Sequence, residues 1–560
     1  MSSPYLPFDI WKCVAEYLPD EQLKQLRTVN RALCLIAREI EYRKVGITVW
    51  DKNTKERLRA LGDPDMGLGQ HVRAVEITPW VIPCTVKLCT KRAKLWNGIN
   101  TLLDSNYPSR RASDHLKRKL AKHTRLVTST VQNLPHLQEY SVQWSPGSSY
   151  HPELFSAFLG PILHNTELGQ NLTKLSVKAP TEKLSSLAPL HLPKLERLEL
   201  DLHTGAMLAG EINDHFDALI VFVNNTMRTL RALSVSSTPD STHLDLNRFF
   251  HRLGTFPNLT SFTLNIPYDG AHVSSPSFLF TSPGSEGDRD LSLTPMEHFI
   301  KKHADHIQEL RLKCSRASPP TARPNPHAKF WIQRILARIA GGDLSVGVDS
   351  SAGSSINVDS AANEEYPRLH TLEVPLRPLK SSLQPLRKCV SVLAGQLKSL
   401  TLTDRALMED ELKMIFNMSP SVSFNNFTSL HSLTNSSELS LSSACCRKPS
   451  LIAPDLSIAT LSLRVQALSP SLLEVIAQAV PGLTKLELEI GGFARDYTPP
   501  LLAHSAMQHP HYKAWCLRKL KIKTPSLSRV QRWSQSQSPE KVLRTCIPGL
   551  EVETEIVRLV

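Results

Sequence analysis

The sequence predicts an α/β protein, a small N-terminal unit of three helices followed by an irregular repeat solenoid with a parallel sheet on its concave side. Three observations predict it. The chain has 560 residues, far more than one hydrophobic core serves, so it must be several domains or an elongated array. Residues 1–45 carry helix punctuation and apolar stripes, and beyond them one pattern keeps returning: apolar, two residues, apolar, one residue, apolar. With 41% hydrophobic and 21% charged residues, the composition is that of a folded chain.

The N-terminal unit comes first. Pro7 suits a first helical position, where its missing N–H is no loss, and Asp9 suits the positive first turn. Ile10, Val14 and Leu18 recur at i, i+4 and i+8 as one apolar stripe, and Pro19 stops that helix. Asp20 is placed to cap a second helix with Leu23 and Leu26 on one face. Asn30 is placed to cap a third carrying Leu33, Ile36 and Ala37. A unit this small cannot bury all its apolar faces alone, which implies a partner.

The repeat runs through Val72-Val75-Ile77, Leu137-Tyr140-Val142, Leu172-Leu175-Val177, Leu195-Leu198-Leu200, Leu230-Leu233-Val235 and Leu259-Phe262-Leu264. It continues through Ile307-Leu310-Leu312, Leu369-Leu372-Val374, Leu397-Leu400-Leu402, Ile458-Leu461-Leu463, Leu483-Leu486-Leu488 and Leu517-Leu520-Ile522. Ile547-Leu550-Val552, the weakest copy, ends it. Pro135, Pro193, Pro257, Pro367 and Pro481 each stand two positions ahead of a copy, where a turn precedes a strand and no ladder donor is needed. Copies start 23 to 65 residues apart, so the array is irregular. The last positions of each copy form a short strand whose alternate side chains, such as Leu198 and Leu200, share one face. The chain then returns, often as a helix such as Ser471 to Val480, and covers that face; neighbouring copies complete one another.

Domains are therefore expected at residues 1–45 (helical unit), 46–130 (linker, first repeat and basic segment) and 131–560 (repeats). Loops poor in apolar residues are expected near 274–290, 341–362 and 419–443. Eight Ser-Pro pairs suit turn chemistry or phosphorylation.

The net charge is +13, and +9 of it falls between Thr85 and Arg125, where eleven Lys and Arg face Asp104 and Asp114. A local block of this kind is more often a solvated helix than a nucleic-acid groove, and residues 1–45 balance seven bases against six acids, which argues against phosphate binding there. Lys91-Arg92-Ala93-Lys94 and Lys117-Arg118-Lys119 have the look of short nuclear-import signals. Neither a secretory leader nor a membrane helix is expected, so the cytoplasm or nucleus is the expected location. Ten scattered cysteines fit a reducing compartment, and neither Cys84 with Cys89 nor Cys445 with Cys446 has the second pair a zinc site needs. His303 and His306, like His509 and His511, read as surface residues. The phosphate-loop, dinucleotide, HExxH and GxSxG motifs are absent, so neither catalysis nor a cofactor is expected.

Leu6-Pro7-Phe8-Asp9-Ile10, Val14, Tyr17-Leu18-Pro19, Leu23, Leu26-Arg27 and Val29-Asn30-Arg31 together resemble an F-box. Joined to irregular leucine-rich repeats, they are similar to the fungal F-box/leucine-rich-repeat proteins. One departure is that many F-boxes place an aromatic near the start of the third helix, where this chain has Leu33, Cys34 and Leu35. The resemblance implies a substrate receptor of a Skp-cullin-F-box ubiquitin ligase, docking on the Skp-type adaptor and its cullin core. Leu6, Pro7, Ile10, Val14 and Leu18 would then contact the adaptor, and Leu23, Leu26 and Val29 would complete that face or the unit's own core. A protein substrate would lie on the concave face, where Lys174, Arg197, Arg311, Lys398, Lys485 and Lys519 flank the strand leucines and would suit an acidic partner. The alternative is a non-catalytic repeat scaffold whose helical unit is only an end cap, with nucleic acid binding through residues 85–125 as its variant.

Overall fold

The computed structural model describes residues 6–82, 107–144, 152–164, 166–204, 209–241, 244–273, 294–315, 330–341, 366–418, 456–466, 468–491, 515–524, 547 and 549–556. The chain divides into two units. The first comprises Met1–Pro267, Ala271–Phe299 and Ser315–Arg323, the second Tyr268–Gly270, Ile300–Cys314 and Pro324–Val560. The loops expected at 274–290, 341–362 and 419–443 lie outside the described residues, Gly341 excepted.

The first unit opens with helices α1 (Phe8–Glu16), α2 (Asp20–Gln25) and α3 (Arg31–Arg43). The Asn30 carboxamide caps α3 as expected, accepting from the Leu33 N–H at 2.8 Å. Two caps are shifted by one residue from the sequence reading: Pro7, expected at the first helical position, is itself the cap of α1, and Pro19 rather than Asp20 caps α2, with Asp20 inside the first turn, where its charge meets the helix dipole. Helix α3 passes directly into the first strand, β1 (Lys44–Ile47). A fourth helix, α4 (Lys52–Gly62), follows, capped by Asp51 through the Thr54 N–H at 2.7 Å.

Strands β2 (Ala74–Ile77), β3 (Glu139–Val142), β4 (Lys174–Pro180), β5 (Arg197–His203), β6 (Ala232–Ser237) and β7 (Ser261–Pro267) then pair in sequence order, every pair parallel. Register explains the repeat: Val75, Tyr140, Leu175, Leu198, Leu233 and Phe262 stand side by side in one buried row. Ile77, Val142, Val177, Leu200, Val235 and Leu264 form the next. Successive strand side chains alternate in direction, so one face is apolar and covered while the other is polar. Behind it Phe249, Phe250, Phe256, Phe262 and Phe299 stack with ring centroids 5.3 to 6.2 Å apart.

The second unit repeats the scheme with β8 (Glu309–Ser315), β9 (Thr371–Pro375), β10 (Ser399–Leu407), β11 (Thr460–Val465), β12 (Lys485–Ile490), β13 (Lys519–Thr524) and β14 (Glu551–Ile556), again parallel and in order. The expected helix near Ser471 to Val480 is present as Pro470–Ala479. Its cap is Ser469, whose hydroxyl accepts from the Leu472 N–H at 3.1 Å. That Ser-Pro pair therefore serves a helix end; the other seven lie outside the described residues. A turn begins at each of Pro135, Pro193, Pro257, Pro367 and Pro481, closed by N–H to carbonyl bonds such as Leu195 to Leu192 at 3.2 Å.

Two differences concern the repeat. The last copy is two residues out of step, because Val552 stands opposite Leu520 and Thr554 opposite Ile522. Strand β1 is an additional repeat strand, with Val45 and Ile47 aligned on Val75 and Ile77. A third difference is His303, which is fully buried rather than superficial, held in the turn after helix Pro295–Lys302 by its backbone bonds to Ile300, His306 and Ile307.

Tyr140 is the one polar side chain in its buried row, and its hydroxyl donates to the Phe158 carbonyl at 2.7 Å. Tyr140→Phe removes that bond at nearly constant shape and is expected to cost about 1 kcal/mol, read as a lower urea midpoint. An unchanged midpoint would show the bond to be energetically idle.

Candidate partner-docking surfaces

Helix α1 carries two apolar stripes rather than one. Trp11, Ala15 and Leu18 face inward, where Ala15, Leu23, Leu33 and Ile36 form a small core with Trp11, Leu18, Leu26 and Ile40 packed on it. A residue at i+4 advances only 40° round a helix, and one at i+3 lags by 60°, so Ile10, Val14 and the C-cap Tyr17 line up on a second side, with Leu6 in the extended chain just ahead of the Pro7 cap. That side is uncovered: Leu6 is 50% exposed, Ile10 47%, Val14 43% and Tyr17 88%. Phe8 and Val29 are exposed as well. Contiguous exposed apolar side chains of this kind mark an interaction surface.

The eight side chains expected at an adaptor contact thus separate. Leu6, Pro7, Ile10, Val14 and Val29 are exposed; Leu18 and Leu26 are half-buried against the unit's core; Leu23 is wholly inside it. Leu18 leaves the stripe assigned to it because α1 ends at Glu16 and its side chain turns under α2. Tyr17 enlarges the face, and its place seven residues after Ile10, two helical turns on, was the available signal.

Helix α3 leans on the turn Leu68–His71. A cleft of about 620 Å³ separates the helices from the first strands, lined on one side by Lys12, Glu16 and Glu39 and on the other by Lys44, Arg73 and Glu139.

The six basic residues proposed for the strand face divide between the two units, and four of them stand opposite one another in register, Lys174 with Arg197 and Lys485 with Lys519. Lys174 and Arg197 belong to the first unit and the other four to the second. Three are committed to carboxylates: Lys174 to Glu199 at 2.9 Å, Arg311 to Glu309 at 3.1 Å and Lys519 to Glu553 at 3.6 Å. Arg197 and Lys398 are exposed, and Lys485 is half-buried. Pairing across strands recurs: Lys178 meets Asp201 at 2.9 Å, Arg464 meets Glu489 at 3.2 Å, and the lysine row of β13 lies between glutamate rows, with Lys521 on Glu555 at 2.8 Å and Lys523 on Glu487. Hydrogen bonding to Lys521 holds the Glu555 carboxyl below its usual range. Much of this charge is thus paired across strands, so an acidic ligand at Lys174, Arg311 or Lys519 would have to displace a carboxylate already in place.

Among the described residues no group of three or more His, Cys, Asp or Glu side chains could hold a metal, and no helix is long and apolar enough to cross a membrane. Cys84, Cys89, Cys445, Cys446, His509 and His511 lie outside the described residues. Cys389 is fully buried, which pushes its thiol up to about 12, whereas Cys13 and Cys516 are exposed. A thiol reagent at neutral pH is therefore expected to modify Cys13 and Cys516 in the native protein and Cys389 only after denaturation. Peptide mapping that found Cys389 labelled first would contradict the fold of the second unit.

Fold and surface together define a class of architecture: parallel strand-and-return repeats preceded by a helical unit with an uncovered apolar face. No protein-family model and no curated protein matches the chain. Solved structures do match. One is "Crystal structure of Rad7 and Elc1 complex in yeast", similar with a TM-score of 0.38 and 11% identity over 97% of this chain and 90% of that one.

Proposed function

We propose that the chain is the substrate-recognition subunit of a Skp-cullin-F-box ubiquitin ligase. The observation that carries this reading is the uncovered stripe of Leu6, Ile10, Val14 and Tyr17, on the same residues whose spacing resembles an F-box. An amphipathic helix presenting such a stripe is suited to a hydrophobic groove on a partner, here the Skp-type adaptor. The repeats would hold a protein substrate on the polar strand face, and the subunit would perform no bond chemistry. Its contribution is to convert the encounter between a substrate lysine and the charged ubiquitin-conjugating enzyme into a nearly intramolecular one. Such work belongs in the cytoplasm or nucleus.

Reconstitution tests it: full-length chain mixed with purified Skp-type adaptor should elute as one complex that then recruits the cullin core. Separate elution would reject the proposal. A second reading, an end cap on a plain repeat scaffold, is favoured by one contact, that of α3 on the turn Leu68–His71. It predicts that the adaptor never joins.

A further inference from the structure

The 26-residue helix Tyr107–Gln132 is covered on one side, where Leu120, Val127 and Val131 are buried. On its outer side His115, Arg118, Lys122 and Arg125 are all exposed. They recur at i, i+3, i+7 and i+10, so they form a single stripe about 15 Å long at 1.5 Å per residue. The only acid in the helix is Asp114. Among the described residues Arg118, Lys122 and Arg125 have no carboxylate partner, in contrast to the strand-face cations, which are repeatedly paired. The positive potential reaches His123: burial lowers its imidazole below the usual range, and Lys55, Lys119 and Lys122 push it the same way.

We infer that this stripe docks an acidic α-helix of another protein, glutamates or aspartates recurring at the same period. This goes beyond the ubiquitin-ligase reading and does not depend on it. Charge complementarity and pitch carry it. A partner helix has the same rise per turn, so its carboxylates meet Arg118, Lys122 and Arg125 turn after turn without losing step. Nucleic acid fits less well. Three Lys and Arg side chains would release few counterions, which leaves weak binding at physiological salt, and no exposed aromatic lies in the stripe to stack on a base. An anionic membrane fits less well too, because the apolar side that would enter it is already covered.

The test uses the full chain and fluorescence anisotropy at low and physiological salt. The probes are an alanine-based helical peptide with glutamates at i, i+3, i+7 and i+10, a peptide of the same composition with those glutamates spread round the helix, and a short DNA duplex. The striped peptide is expected to bind best, and Arg118→Glu/Lys122→Glu/Arg125→Glu to weaken it at least about tenfold. The corresponding triple glutamine variant, gentler on folding, should give a smaller loss in the same direction, and circular dichroism checks that both variants remain folded. Tighter binding of DNA than of the striped peptide, equal binding of the two peptides, indifference to both variants, or no peptide binding at all would each overturn the inference.

Discussion

Leu6→Asp/Ile10→Asp is expected to abolish recovery of the Skp-type adaptor while leaving the chain folded. Both side chains are about half exposed, so the charges cost the free protein little. In an apolar interface each would be stranded without a partner. Central contacts of that kind are worth about 2 kcal/mol or more apiece, so the pair should weaken the complex by over about 100-fold. Leu23→Asp is the control, since it puts a charge into the core formed by Ala15, Leu33 and Ile36 and should unfold the three helices outright. Adaptor binding that survives Leu6→Asp/Ile10→Asp would remove α1 from the interface and leave the end-cap reading in its place.

The second large effect concerns the first unit's aromatic cluster. Phe250 meets Phe249 at 5.4 Å, Phe262 at 5.9 Å and Phe299 at 5.3 Å between ring centroids, and only 1% of it is exposed. Its neighbours are themselves rings fixed by helix Leu246–Arg252 and strand β7, so the space left by truncation cannot collapse easily. Phe250→Ala is expected to cost about 3–5 kcal/mol, visible as a lowered thermal midpoint of this unit. A cost below about 1 kcal/mol would mean that the rings are not packed as described.

The repeat was legible because it is local. Val75 with Ile77, or Leu198 with Leu200, carry strand periodicity within three residues, and a proline such as Pro193 marks the turn ahead. All thirteen copies fall at strands β2 to β14, the last misplaced by two residues because the turn closed by the Leu550 N–H on the Ile547 carbonyl lies closer to the paired positions of β14 than the sequence spacing suggests. Strand β1 escaped notice for the opposite reason: it leaves α3 with no turn to announce it.

The surfaces were legible only in part. Periodicity alone cannot say which of two apolar stripes on α1 meets its neighbours, since that depends on where α3 lies. Hence Leu18 was grouped with Ile10 although it packs inward. The strand-face charges depend on register between distant segments. Nothing near Lys174 in sequence announces that Glu199 will stand beside it, nor Glu553 beside Lys519. The basic stripe on Tyr107–Gln132, by contrast, lies within one helix, and its spacing could be read directly once the helix itself was recognised.

Because Arg43 ends α3 and Lys44 already belongs to β1, the joint between the helical unit and the first repeats has no slack. Whatever seats on α1 is thereby mounted at a set bearing to the strands that follow, like a bracket rather than a tether. A ligase built on such a bracket would mark those lysines of its cargo that fall within a narrow arc, and a few glycines spliced in between Arg43 and Lys44 should blur that choice.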